Sequence, residues 1–168
     1  MTSPDRPRGQ GVSPDAKSEL QTGRMATLDG TGLRVAVACG RFNDVITDRL
    51  LAGCRDRLVE LGVKAEDIVE VWAPGAFELP LVAKRLAEAG GHDAVITLGA
   101  VIRGDTPHFD YVAGECAAGV MRAQLEVGVP IVFGVLTTDT VSQAFEREGK
   151  GRDCAETAVE MAALLRAI

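Results

Sequence analysis

A chain of 168 residues with 46% hydrophobic and 25% charged residues is sized for one domain and too apolar to be mainly disordered. Only 4% of the residues are aromatic, so aliphatic side chains must fill the core. The formal charge of −6 opposes the field of a nucleic acid or an anionic membrane, and any anionic ligand must be small and held by a local cluster. Cys39, Cys54, Cys116 and Cys154 stand far apart, with no C-x-x-C pair and only two histidines beside them, so neither a disulfide framework nor a zinc site is written here. That usage fits a reducing cytosol. Asp5, Asp15 and Glu19 with no apolar stretch argue against a signal peptide. The longest near-apolar run, Ala94 to Ile102, is about half the roughly 20 residues a membrane helix needs, so a soluble chain is expected.

Residues 1–31 are rich in Pro, Gly, Ser and charge without an apolar period; they are expected as a loose tail ahead of one domain, 32–168. From Leu33 to Cys39 a β-branched run ending at Gly40 predicts a strand buried on both faces. Ile46, Leu50, Cys54, Leu58 and Leu61 then recur at helical spacing until Gly62. Ile68–Trp72 predicts a second strand, and Leu79–Ala89 a helix with Pro80 in its first turn and Gly90-Gly91 at its end. Ala94–Ile102 is the most apolar strand, followed by a helix over Asp110–Val127. Pro130–Leu136 predicts a strand with its proline at the start, where a missing N–H is tolerated. Thr140 and Gln143 offer a capping box for a short helix to about Arg147, and Ala155–Ile168 predicts a terminal helix. Four strands alternating with helices predict a four-stranded parallel, doubly wound α/β sheet, whose ligands bind beyond the carboxyl ends of the strands.

The strand-to-helix turns there are unusual. Gly40-Arg41-Phe42-Asn43-Asp44, Ala73–Glu78, Arg103–Asp110 and Thr137-Thr138-Asp139 should gather at one sheet edge. Phe42, Phe77 and Phe133 read either as hydrophobic cover or as flat faces for an aromatic ligand. Glu78 reads either as a helix-start charge or as a carboxylate taking hydrogen bonds from a polyol. His108 lies in a Gly/Thr/Pro turn, with a side chain that exchanges protons near neutrality; His92, at the opposite end of the sheet, reads as an ordinary surface histidine. Gly104-Asp105-Thr106 supplies free backbone N–H groups before a helix, an anion cradle without a P-loop signature. Arg147 reads either as a cation drawn to a helix C-terminus or as a guanidinium fork for a phosphate.

Gly40–Asn43, Pro74–Pro80, Gly99–Val112 and Phe133–Asp139, in this order, resemble the 6,7-dimethyl-8-ribityllumazine synthase family. The resemblance runs from about Gly32 to the C-terminus. It implies a flavodoxin-like domain that condenses 5-amino-6-ribitylaminouracil with 3,4-dihydroxy-2-butanone 4-phosphate, the penultimate step of riboflavin synthesis, releasing phosphate and water with no metal or redox cofactor. By motif position, Phe42 would stack on the pyrimidine, Ala76, Phe77 and Glu78 would bind the ribityl side, and Ala100, Val101 and Ile102 would line the pyrimidine pocket. Asp105, Thr106 and Arg147 would hold the phosphate, with Lys150 beside them, and His108 would shuttle protons. Phe133 would come from a neighbouring subunit, because the family's sites lie between subunits of a homopentamer, which in many relatives builds decamers or icosahedral shells.

The chain departs from the family pattern where Arg147-Glu148-Gly149 meets Lys150-Gly151, a link about five residues shorter than usual. Glu148 also places a negative charge beside the phosphate arginine. Two other readings follow: a non-catalytic relative that binds lumazine or flavin or builds a shell, suggested by the altered link, and a generic mononucleotide binder, which explains the sheet but not four matching turns.

Overall fold

The structure, a computed structural model, describes residues 27–168. The loose tail expected over 1–31 therefore lies mostly outside the described residues. Four strands, β1 (Val35–Gly40), β2 (Ile68–Ala73), β3 (Ala94–Ile102) and β4 (Ile131–Thr138), pair in parallel in the order β2-β1-β3-β4. Five helices accompany them: α1 (Asp44–Glu60), α2 (Leu79–Glu88), α3 (His108–Val127), α4 (Val141–Phe145) and α5 (Lys150–Ala167).

Successive side chains of a strand face opposite ways, and the two sets here are buried by different helices. Val35, Val37, Ile96 and Leu98 join Leu50 and Leu58 of α1 and Val159 of α5 on one side. Ala36, Ala38 and Val95 lie on the other, under Leu79 and Ala83 of α2 and Val120 of α3. With both faces covered, the strands read as unbroken apolar runs. This is the doubly wound sheet expected from the alternation of strand and helix patterns.

One helix boundary differs from the sequence pattern because glycines sit inside the helix. The last helix begins at Lys150, five residues before the expected Ala155, because Gly149 and Gly151 look like loop residues in sequence. Gly151 is instead buried at the crossing of α1 and α5, where an added Cβ would collide with the Leu50 carbonyl. Small residues continue along that contact as Ala155, Ala158 and Ala162. An ion network closes its rim: Arg57 meets Glu156 at 2.8 Å and Glu60 at 3.0 Å, and Arg152 meets Glu60 at 2.6 Å. Hydrogen bonds from Arg152 and Arg57 hold the Glu60 carboxyl below its ordinary value.

All four cysteines are free and buried. Burial pushes the thiols of Cys116 and Cys154 up to about 11, which leaves them protonated and inert at neutral pH. Among the described residues no helix is long and apolar enough to cross a membrane.

The Leu50 contact yields a prediction. An alanine in a helix interior is ordinarily about 1 kcal/mol better than glycine. Gly151→Ala reverses that sign, costing about 3 kcal/mol through overpacking against backbone that cannot rotate away. Urea unfolding of the variant measures it, and an unchanged midpoint would remove the close crossing from the account.

Candidate active site

The strand order reverses between β1 and β3: the chain leaves β1 for β2 on one side, and β3 pairs on the other. Ligands of open α/β sheets bind at that point, beyond the carboxyl ends of the strands. Beyond β1, the Arg41 N–H donates to the Ala73 carbonyl at 2.9 Å and the Phe42 N–H to the Pro74 carbonyl at 3.0 Å, so the turn continues alongside the end of β2. Asn43 then takes φ 63° and ψ 40°, the left-handed region that asparagine tolerates better than most residues. Its carbonyl accepts the Ile46 N–H at 3.0 Å, opening α1, while its side-chain Nδ2 donates to the Ala100 carbonyl of β3 at 2.9 Å. One residue thereby turns the chain, starts a helix and bridges the switch point.

Phe42 is 73% exposed, so within one chain most of its surface is open. Across from it, Gly75 leaves the backbone bare: a Cβ there would lie 3.4 Å from Glu78 Oε2 and 3.7 Å from Phe42 Cβ, so both side chains leave the backbone beside this glycine. Ala76, Phe77 and Glu78 form a single 3-10 turn leading into α2, with Ala76 buried and Phe77 57% exposed. Glu78 makes no capping bond to that helix. Its charge reaches α3, where it adds to burial in raising the Cys116 thiol.

At the end of β3, Ala100 and Val101 are buried and Ile102 packs against the core, so what these residues offer a ligand is backbone. Asp105, Thr106 and His108 follow, all exposed; His108 is the first residue of α3, two earlier than the expected helix start, and its N–H points to Thr106 Oγ1 at 3.5 Å. Arg103 ties this loop to its surroundings, donating through Nε to Asp139 at 3.0 Å and through Nη1 to Asp110 at 3.2 Å, with its guanidinium 4.2 Å above the Phe109 ring.

Of the remaining predicted residues, Phe133 packs against the cluster that holds Ala76 and Val101, while Arg147 and Lys150 lie beyond β4. Phe133 lies mid-strand, opposite Thr97, half-buried against the α2 and α3 layer. Arg147 follows α4, its Nη1 donating to the Gln143 carbonyl at 2.8 Å, and Lys150 opens α5, exposed. The Glu148 carboxylate, a worry from the sequence, turns to Arg49 at 2.9 Å and leaves Arg147 beside the looser Glu146 at 3.9 Å. Thr140 caps α4 by accepting the Gln143 N–H at 3.1 Å, while the Gln143 side chain reaches back to the Asp139 N–H. At the far end of the sheet His92 Nδ1 sits 3.0 Å from the Leu86 carbonyl. Among the described residues no cluster of three or more His, Cys, Asp or Glu is placed to hold a metal ion.

Sequence reasoning gave no role to Asn43 or Arg103. The signal for the first was an asparagine directly before a helix start; for the second, a charged residue directly after the most apolar strand.

Fold and turns together define a doubly wound α/β domain with exposed polar turns after the carboxyl ends of its strands. Residues 32–166 match the family model for 6,7-dimethyl-8-ribityllumazine synthase, and the chain belongs to that family. The family consists of transferases of riboflavin biosynthesis that act on small molecules and self-associate.

The bridge at Asn43 is testable by two variants. Asn43→Ala loses the amide bond and meets the left-handed penalty, about 1.5–3.5 kcal/mol together, whereas Asn43→Gly loses the bond but keeps the turn. Thermal unfolding should rank wild type above Gly above Ala; Ala equal to Gly would dismiss the backbone term.

Proposed function

We propose that the protein condenses 5-amino-6-ribitylaminouracil with 3,4-dihydroxy-2-butanone 4-phosphate to 6,7-dimethyl-8-ribityllumazine, releasing phosphate and water. The observation that carries this reading is membership of the synthase family over residues 32–166, supported by the placement of Phe42, Glu78 and the exposed Asp105–His108 loop after the carboxyl ends of β1, β2 and β3. The exposed Phe42 ring suits stacking on a flat pyrimidine, and the unpartnered geometry of Glu78 suits a polyol chain. Ala76 and Phe77 flank that chain, and Ala100, Val101 and Ile102 present backbone edges to the heterocycle. Asp105 and Thr106 contribute loop groups to the phosphate, and Arg147, with Lys150 one helix turn on, supplies positive charge.

The chemistry needs little from the protein beyond placement. The substrate's primary amine attacks the ketone and a first water leaves as the imine forms; phosphate is then eliminated to give an enol that becomes a carbonyl, and the ribityl-bearing nitrogen closes the ring on that carbonyl with loss of a second water. Each step moves a proton, which the His108 imidazole can carry. Aligning two reactants contributes up to about 7–11 kcal/mol, more than acid-base help of about 10²–10⁴-fold.

Phe133 and Arg147 enter the site from an adjoining copy in this reading, so the working unit is a homopentamer, with decamers or shells as higher assemblies. Native mass measurement distinguishes these, and a monomer that turns over would contradict the shared site. A cytosolic location agrees with four free thiols.

Mixing purified protein with both substrates should yield fluorescent lumazine faster than the spontaneous reaction; product at background only would favour a non-catalytic binding protein. His108→Ala is expected to slow turnover about a hundredfold without abolishing it, since positioning survives. Complete loss with intact assembly and binding would contradict that division. Arg147→Ala should raise KM for the phosphate substrate by about tenfold while sparing the pyrimidine, and the opposite pattern would remove its phosphate role.

A further inference from the structure

We propose that Arg103 is a positioning residue that holds the β3–α3 loop, and with it Asp105, Thr106 and His108, in the shape that receives the phosphate substrate. The inference deepens the reaction proposed above and rests on it for the identity of the ligand. Gly104 to Pro107 are all exposed, and a side chain added at Gly104 would meet nothing within 4 Å. The loop's own bonds are the 3.5 Å approach of the His108 N–H to Thr106 Oγ1 and the Asp110 N–H to the Pro107 carbonyl at 3.0 Å. Neither fixes the loop against the rest of the domain.

Arg103 does. Its backbone N–H donates to the Thr138 carbonyl at 2.9 Å, anchoring the loop's first residue to β4. Its side chain spans the loop's base, with Nε on Asp139 at the end of β4, Nη1 on Asp110 in the first turn of α3, and the flat face on Phe109. Two edges and a face are in use at once, a combination that a planar guanidinium allows and an ammonium does not. The same fork neutralises two carboxylates flanking the loop. Without it, Asp110 and Asp139 would repel a dianionic ligand, so the loss falls on the phosphate substrate rather than on the uncharged pyrimidine. Exposed ion pairs contribute little to global stability, so the effect is local.

Arg103→Met, Arg103→Lys and wild type are compared as full-length protein. The expected result is a KM for the four-carbon phosphate raised about tenfold or more in Arg103→Met, with the pyrimidine KM within about twofold and Tm unchanged. Arg103→Lys should not rescue it, because one ammonium cannot serve both carboxylates and the ring. Equal rises in both KM values, a parallel fall in Tm, or full rescue by lysine would overturn the proposal. Millisecond hydrogen exchange without substrate provides a readout independent of turnover: amides of residues 104–110 should exchange about fivefold faster or more in Arg103→Met, with β3 unaffected. Unchanged exchange there would also overturn it. A wild type that makes no lumazine would defeat the proposed reaction and the phosphate assignment, while the exchange result would still decide whether Arg103 orders the loop.

Discussion

Two strands buried on both faces hold everything that the strand-end crevice displays. Every residue of β1 is buried, and β3 is buried from Ala94 to Val101. Each Val, Leu or Ile so buried is worth about 1.5–3 kcal/mol, and moving either strand by one residue would exchange its two helix-facing sets. Register is thereby pinned at the base of the crevice. The polar atoms inside are bonded as well: Thr97 Oγ1 donates to the Val132 carbonyl at 2.9 Å, and among the described residues no buried side-chain nitrogen or oxygen lacks a partner. Gly134 lets the layers close, since a Cβ there would lie 2.6 Å from the Thr97 carbonyl and 2.8 Å from Cys154 Sγ.

A rigid floor lets the groups above it remain exposed and still be placed. Among the described residues the only non-glycine in left-handed backbone is Asn43, where the amide bridge to β3 offsets part of its cost. Charge is handled locally in the same manner. The chain is acidic overall, yet the carboxylates nearest the polar loop are matched by Arg103, and Glu148 is drawn off by Arg49, which also lies 5.0 Å over the Phe145 ring. Local pairing of this kind is what allows an anionic protein to present a site to an anionic ligand.

The strands were legible because burial on two faces leaves a continuous apolar signature; Ala94–Ile102 spans the same residues in sequence pattern and in structure. Helix starts were less legible. Gly149 and Gly151 read as a break because glycine marks both loops and close helix crossings, and only the position of the Leu50 carbonyl separates the two. At the crevice, the residue types at the strand ends were visible, but their division was not. Phe42 and Glu78 both lie beside Gly75, a placement set by tertiary structure, while Arg103 acts through partners seven and thirty-six residues away that no local pattern links to it.

The proposed condensation gives a physical reason for a second copy at the site. Imine formation and phosphate loss are served by a partly dry environment, where a positioned imidazole and fixed charges act more strongly than in water. A single chain supplies a floor and one wall: Phe42, Phe77 and Tyr111 are all largely exposed, and His108 stands open to solvent. Phe133 packs on the α2 and α3 side of β4, and Arg147, beyond α4, donates to the Gln143 carbonyl. In the proposed assembly the unused half of one chain faces the open half of the next, so the same contact that covers the rings excludes water and delivers the guanidinium. Closing the ring of copies would then complete every site at once, and the shortened link at Arg147–Lys150 would act by setting how far that guanidinium extends across the contact.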